Sequence, residues 1–198
     1  MFTTLLILAL LAPPETDGLD RLAAALRAAK AWGAAFEQVY TPEGFTQGTT
    51  ESGHLTLVPP GRLRFDYTSG SPRVFASDGS IGRLVDPAAG SCDAVRLDTG
   101  SWGRLPLAAV LDPAAARRAF SVESRGASLR LIPLAPSPEL VEITVTLDAE
   151  GMPASVTVRD EAGNSNRFNF AHWKTAAEPP AAFFRPALPG STPCQPEQ

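Results

Sequence analysis

Residues Gly53 to Tyr67, GHLTLVPPGRLRFDY, decide how this chain is predicted to fold. Apolar and polar side chains alternate on both sides of Pro59-Pro60-Gly61, and in a β-strand this period of two places the apolar ones on one face. Two stiff prolines followed by a permissive glycine favour a chain reversal. We therefore predict an antiparallel hairpin with one face in water and one apolar face. The apolar face consists of Leu55, Leu57, Leu63, Phe65 and Tyr67.

The composition favours a single domain built mainly of β-strands. Of the 198 residues, 44% are hydrophobic, which is enough for one core. The 19 prolines are about twice the usual share and lie with glycines between short apolar runs, a pattern typical of turn-rich β proteins. The net charge of −4 comes without a basic stripe, which argues against nucleic-acid binding.

Both ends of the chain are predicted to lie outside the folded domain. Residues 1–14 contain an apolar run, Leu5 to Ala12, that is far shorter than the roughly 20 residues needed to span a bilayer but suits a secretory signal peptide. The alternatives are a mis-assigned start and an ordered apolar N-terminus. We expect residues 15–190 to form one domain and residues 191–198 to form a polar tail.

The two cysteines, Cys92 and Cys194, have no CxxC or Cys/His spacing that would indicate a metal site. In an exported protein they would most simply form a disulfide, which would attach the proline-rich C-terminal segment to the body of the protein. Such a ring contributes about 4–5 kcal/mol on the loop-entropy model. The alternative is two free thiols.

The rest of the chain is predicted to alternate between strands and two helices. Asp17 is expected to cap an amphipathic helix of about 20 residues, because apolar residues recur at 3–4 spacing from Leu19 to Phe36. Asp112 and Pro113 open a short helix. Residues 41–52 are predicted to be a hairpin end or an irregular connection, and residues 88–103 are predicted to be an irregular surface segment. Further strands are predicted at residues 73–77, 81–85, 120–123, 129–132, 141–147, 154–159 and 167–171, with Val141, Ile143, Val145 and Leu147 on one face.

No residue pattern indicates a catalytic, cofactor or metal site. His54 and His172 have no Cys, Ser or carboxylate at a motif spacing, and nucleophile-elbow, phosphate-loop, dinucleotide and HExxH motifs do not occur. We predict a protein that is not an enzyme and needs no cofactor. The residues alone leave two alternatives for the apolar sheet face, an ordinary filled core or an underfilled face that holds a lipid.

Seven short motifs, in order, resemble the bacterial outer-membrane lipoprotein carrier family, or LolA-like proteins. They are Phe36-x-Gln38, Gly53-x-Leu55 leading to Pro60 to Tyr67, Ser77-Asp78-Gly79, Asp86-Pro87, Asp160 to Asn164, Phe168-x-Phe170 and Phe184-x-Pro186. The resemblance covers roughly residues 19 to 190. It implies an unclosed, strongly curved antiparallel β-barrel, or half-barrel, covered by an N-terminal amphipathic helix and a short helical lid. It also implies a monomeric periplasmic carrier that shelters lipoprotein acyl chains between an inner-membrane release complex and an outer-membrane receptor.

The resemblance also suggests which residues meet the cargo. The expected cavity lining is the apolar face of the hairpin together with Ile143, Val145, Val156, Phe168 and Phe170. The expected lid residues are Leu105, Leu107, Val110 and Leu111. An error of one residue in strand register would exchange the cavity set for its polar neighbours.

The chain departs from the family pattern at two places. Family members hold the lid with an arginine just before the hairpin proline, where this chain has Pro59. Arg62 or Arg64 would either replace that arginine or be a solvated strand arginine. After Asp78-Gly79 the family has an aromatic pair, where this chain has Arg83 and Val85. Alternative functions on the same fold are an envelope lipid sensor, a docking module for a membrane protein, and a carrier of free lipids.

Overall fold

One antiparallel sheet of eleven strands dominates the computed structural model, which describes residues 17–97, 110 and 112–196. The strands are β1 (Trp32–Thr41), β2 (Thr49–Val58), β3 (Arg62–Tyr67), β4 (Val74–Asp78), β5 (Ile81–Asp86), β6 (Ser91–Arg96), β7 (Phe120–Arg125), β8 (Ser128–Pro133), β9 (Glu142–Leu147), β10 (Pro153–Arg159) and β11 (Ser165–Thr175). Their order in the sheet is β6-β5-β4-β3-β2-β1-β11-β10-β9-β8-β7. The edge strands β6 and β7 do not pair with each other, so the sheet is a half-barrel. This confirms the predicted fold class.

Two α-helices accompany the sheet in the described residues, and both predicted caps are present. Helix α1 (Gly18–Arg27) begins where an Asp17 carboxylate oxygen accepts a hydrogen bond of 3.1 Å from the Leu19 amide. Helix α2 (Pro113–Ala119) begins in the same way, with Asp112 accepting from the Ala115 amide at 3.0 Å. A one-turn 3₁₀ helix (Ala181–Phe184) follows the last strand.

The predicted length of the first helix is wrong. Helix α1 has 10 residues rather than about 20, and the chain from Trp32 onward forms β1. Strand β1 lies in the middle of the sheet and pairs with β2 on one side and β11 on the other. Two ladders of backbone hydrogen bonds outweigh a helical pattern of apolar residues. Phe36 therefore reaches the core from a strand.

Three other expectations from the sequence are corrected. Strand β6 lies inside the segment predicted to be irregular, where it pairs with β5 and forms an edge of the sheet. Strand β2 begins at Thr49, earlier than predicted, because its first residues pair with the end of β1. Val141 does not join the inward row of β9. It precedes the strand, its amide bonds to the Arg159 carbonyl, and its side chain is 43% exposed.

The convex side of strands β2 to β5 is covered by the C-terminal segment, residues 176–196. Phe184, which is fully buried, packs there with Ala31 and Val58 in a second, smaller core. A disulfide joins Cys92 of β6 to Cys194, with the two Cα atoms 6.1 Å apart. The predicted pairing of the cysteines is confirmed. The disulfide attaches the C-terminal segment to the edge strand β6.

Three arginines on the convex face hold the same segment. Arg62 forms an ion pair of 2.6 Å with Glu178, and Arg64 donates to the Phe183 carbonyl at 2.9 Å. Arg83, only 2% exposed, donates to the Cys194 carbonyl at 2.9 Å. Arg62 and Arg64 are therefore neither latches of a lid on the concave side nor freely solvated residues.

Gly53 should tolerate no side chain, because a Cβ atom there would lie 1.9 Å from the Asp66 carbonyl oxygen and 2.9 Å from the Phe36 ring. We expect Gly53→Ala to lower the free energy of unfolding in urea by about 2–3 kcal/mol, the scale of core overpacking. Gly33→Ala is the control, since its new Cβ would meet nothing closer than 3.8 Å. Equal stabilities of the two variants would contradict the close packing of β2 under Phe36.

The ion pair of Asp78 with Arg83 should make stability depend on pH in acid. Burial alone raises the pKa of Asp78, but hydrogen bonds from the Ile81 amide and from Arg83 lower it overall. The stabilisation is therefore complete above the ordinary pKa of 3.8 and is lost as the pH falls through the lower value of the folded protein. At pH 7, Asp78→Asn should cost about 1.5–3 kcal/mol.

This difference between wild type and Asp78→Asn should shrink as urea unfolding is repeated from pH 5 down to about pH 2. Asp93→Asn, which changes an exposed carboxylate on β6, is the control. A difference that stayed constant with pH would show that the Asp78 charge contributes nothing.

Candidate functional site

A row of aromatic side chains crosses the concave face of the half-barrel. Phe36 lies at its centre, with ring centroids 5.0 Å from Phe65 and 5.1 Å from Tyr67, both edge-on. Phe168 lies 5.7 Å from Phe65. The row continues through Phe75 at one side and through Phe170 and Trp173 at the other. It forms because residues on neighbouring strands share a face of the sheet, as Phe36 and Phe170 do.

The structure places all ten sequence-predicted cavity residues on this concave face. Each is less than 10% exposed, and all belong to one hydrophobic cluster. That they contact a ligand stays a prediction. The sequence analysis missed Phe36, Leu129 and Leu131 as members of the face. Phe36 was assigned to the helix, although the Phe36-x-Gln38 motif carried a period of two that also fits a strand.

The described part of the cover over this face comes from two short helices and Val110. Helix α1 contributes its leucine stripe, Leu19, Leu22 and Leu26, and Ala116 of α2 packs in the same cluster. Of the predicted lid residues, Val110 is 1% exposed and belongs to the cluster. The other three, Leu105, Leu107 and Leu111, lie outside the described residues. Among the described residues, the side chains that shield the apolar face from water are thus those of the α1 stripe, Val110 and Ala116.

The two helices of the cover are joined at the surface. Arg117 of α2 donates to Asp17 at 3.0 Å and to Asp20 at 2.6 Å, so one guanidinium bridges the first turn of α1. Arg117 has 44% of its side chain exposed. Exposed ion pairs contribute only about 0–1 kcal/mol each. The bridge holds α1 to α2 weakly enough to open.

The start of α1 is also fixed to the sheet. The Gly18 amide donates to the Ser124 hydroxyl at 2.9 Å, and a Cβ at Gly18 would lie 2.5 Å from Leu129. A side chain at position 18 would have to displace the side chains of Leu129 and Ser124. The N-terminal end of α1 is therefore held at the β7–β8 side of the half-barrel.

A cavity of about 470 Å³ opens beside the other end of α1. Met152 and Phe170, both part of the main core, contribute to its lining. Two indoles flank it: Trp32 donates to the Leu26 carbonyl at 3.0 Å, and Trp173 donates to the Pro153 carbonyl at 2.8 Å. Ligand pockets in proteins measure about 300–1,000 Å³. The remaining lining residues are Ala25, Ala28, Asp148, Glu150, Ala154, Ala171 and His172.

At the opposite end of the concave face the apolar row ends in polar side chains. The Tyr67 hydroxyl donates to Gln38 at 2.6 Å, and the Gln38 amide donates to Asn166 at 3.0 Å. Burial raises the pKa of Tyr67 to about 12, so its hydroxyl stays protonated. Arg73 lies 4.2 Å over the Tyr67 ring and bonds to Glu51 with both terminal nitrogens. These partners satisfy one another and mark one limit of the apolar surface.

The described residues contain no group of three or more His, Cys, Asp or Glu side chains that could hold a metal ion. His54 and His172 are both exposed. Within the same residues, no helix has the length and apolar character needed to cross a membrane. The feature that distinguishes this molecule is its covered apolar concavity.

Comparison with known proteins agrees with this geometry. The family described as "Outer membrane lipoprotein carrier protein LolA" matches residues 27–187. An outer-membrane lipoprotein carrier protein of Chromobacterium violaceum is 27% identical over 179 residues, which cover 88% of this chain and 85% of that protein. An uncharacterized conserved protein from Thermus thermophilus superposes with a TM-score of 0.51 at 12% identity, covering 88% of this chain and 94% of that one.

A LolA superfamily protein from Nitrosomonas europaea superposes with a TM-score of 0.47 at 8% identity, over 85% of this chain and 97% of that one. The family match spans well over half of the residues. This chain belongs to the outer-membrane lipoprotein carrier (LolA) family.

Proposed function

We propose that this protein is a periplasmic carrier that shelters lipoprotein acyl chains on its concave face during transfer from the inner to the outer membrane. The observation that carries the proposal is the continuous apolar face of the half-barrel, whose cover, in the described residues, consists of two short helices and Val110. The name of the family, and that of the Chromobacterium violaceum relative, point to the same cargo. An inner-membrane release complex and an outer-membrane receptor would be its partners.

The free energy gained by burying an acyl chain is similar in size to the free energy gained by burying the leucine stripe of α1. An acyl chain gains about 0.8 kcal/mol per buried CH₂, or roughly 12 kcal/mol gross for sixteen carbons. Each leucine of the α1 stripe contributes about 1.5–3 kcal/mol by its burial. An acyl chain can therefore replace Leu19, Leu22 and Leu26 on the concave face. The return of the helix can in turn help to expel the chain at the receptor.

The cavity beside Ala25 and Ala28 is the proposed entrance. The first turn of α1 is fixed by Gly18 and by the Arg117 bridge. The last turn is held by the hydrogen bond from the Trp32 indole. In this proposal the last turn lifts first and the Arg117 bridge opens as more of the chain enters.

The disulfide supports the proposed compartment, since such bonds persist in oxidising environments such as the periplasm. The shelter of acyl chains requires no bond to be made or broken, so the proposed role is that of a carrier and not of an enzyme. A monomer suffices for it.

Opening the Arg117 bridge should strengthen cargo binding, because less cover must be displaced. We expect Arg117→Gln to lower the Kd for a fluorescent triacylated cysteinyl peptide about two- to fivefold, corresponding to the loss of at most about 1 kcal/mol of helix–helix attraction. Arg130→Gln is a matched control, since Arg130 on the convex face also bridges two carboxylates, those of Glu142 and Glu123. It should leave the Kd unchanged.

Filling the entrance should have the opposite effect. Ala154→Trp places a large ring in the cavity and should raise the Kd at least tenfold. The same peptide without acyl chains should not bind to any variant. Binding of phospholipid but not of the acylated peptide would indicate a carrier of free lipids. Binding of neither would contradict the carrier and leave a docking or sensor role.

A further inference from the structure

The large apolar side chains that are exposed in the described part of the chain all lie at one end of the half-barrel. They are Tyr40, Phe45, Leu134 and Val141, with exposed fractions of 43%, 69%, 63% and 43%. Tyr40 lies at the end of β1, and the others lie in two loops at the end opposite the Pro59-Pro60-Gly61 turn. We call the connections 42–48, 134–141 and 160–164 the loop end.

The three connections of the loop end are tied to one another. The Glu43 amide donates to the Asn164 side chain at 3.0 Å, which joins the first connection to the third. The Glu161 amide donates to the Pro138 carbonyl at 3.0 Å, which joins the third to the second. Because hydrogen bonds hold the backbone, the exposed apolar side chains stand on a preformed surface. Such surfaces lose little conformational entropy on binding.

A groove of about 430 Å³ runs along the second connection. Its walls are apolar and rich in proline, which offers no amide donor. Glu161 is the charged residue in the lining of this groove. Leu134 directly follows Pro133, which also lines the groove. The lining residues are Ile132, Pro133, Pro136, Ser137, Pro138, Leu140, Val141 and Glu161.

The charged residues in the sequence of the loop end are all acidic. Its three connections contain Glu43, Glu139, Asp160 and Glu161 and no lysine or arginine. The adjoining Arg159 lies on the convex face beside Glu142, whose pKa is held below its usual range chiefly by the hydrogen bond from Arg130 and to a smaller extent by the charge of Arg159. The carboxylates of Glu43 and Glu161 would repel anionic lipid headgroups and a second copy of the same surface, whereas they would attract a cationic protein.

We propose that the loop end is a docking surface for a positively charged amphipathic segment of a partner protein. Phe45 and Leu134 are its apolar anchors, and Glu43 and Glu161 pair with the lysines or arginines of the partner. The surface lies outside the concave face, so this proposal does not depend on the binding of acyl chains.

The test uses a fluorescent amphipathic peptide of lysine and leucine, and the same peptide with glutamate in place of every lysine. The lysine peptide should bind the wild-type protein in anisotropy titrations, with a Kd that rises with salt. Two double variants, Phe45→Ser with Leu134→Ser and Glu43→Gln with Glu161→Gln, should each raise the Kd at least tenfold. Asp93→Asn, which changes an exposed carboxylate on the edge strand β6, is the control and should leave it unchanged.

Thermal unfolding should show that both double variants remain folded, because they alter exposed side chains. Their affinity for the triacylated peptide should equal that of the wild type, which separates this surface from the cargo site. The proposal is overturned if the lysine peptide fails to bind, if the glutamate peptide binds equally well, or if both double variants bind like the wild type. Anionic phospholipid vesicles that bind through Phe45 and Leu134 would overturn it in favour of a membrane surface.

Discussion

The burial of one apolar face by an unclosed sheet is the constraint on which the rest of this structure depends. A closed barrel would surround its own interior, whereas a half-barrel leaves a concave surface that another element must cover. Here the described part of the cover consists of a ten-residue helix, Val110 and a short second helix. Their removal would expose the aromatic row around Phe36 to water, which is unfavourable unless another apolar group replaces them.

The two sides of the sheet are held in different ways. On the convex side the C-terminal segment is fastened by a disulfide, by the buried Phe184 and by arginines such as Arg83, so that side is built to stay in place. On the concave side the helices are joined by the exposed Arg117 bridge. The convex cover is thus fastened covalently, whereas the described concave cover is held by apolar packing of its leucine stripe and by exposed ion pairs.

The hairpin and the inward apolar face could be predicted from sequence because strand periodicity is local. Alternation around Pro59-Pro60-Gly61 placed Phe65 and Tyr67 on the inward face. Asp17 and Asp112, as predicted N-caps, indicated where both helices begin. Periodicity failed where apolar residues fit two periods at once. Phe36 satisfied the 3–4 spacing of a helix, yet pairing with strands that are distant in sequence decided its conformation.

Other features depend on contacts that no local pattern encodes. Arg62 and Arg64 appeared as strand arginines, and Arg64 does pair locally with Asp66. Arg62 also bonds to Glu178, and Arg64 to the Phe183 carbonyl, more than 100 residues away in the C-terminal segment. The exposed position of Val141 follows from its bond to the end of β10 rather than from its neighbours in sequence. The loop end is likewise a property of the fold, since it is assembled from three connections far apart in the chain.

The most direct test of the account is amide hydrogen exchange of the protein alone and saturated with a triacylated cysteinyl peptide. The account predicts that exchange in α1 becomes faster in the complex, because the acyl chains take the place of its leucine stripe. Exchange in β1 and β3 should stay as slow as before. Binding of the peptide with unchanged or slower exchange in α1 would show that the helix is not displaced and would contradict the proposed competition between cover and cargo.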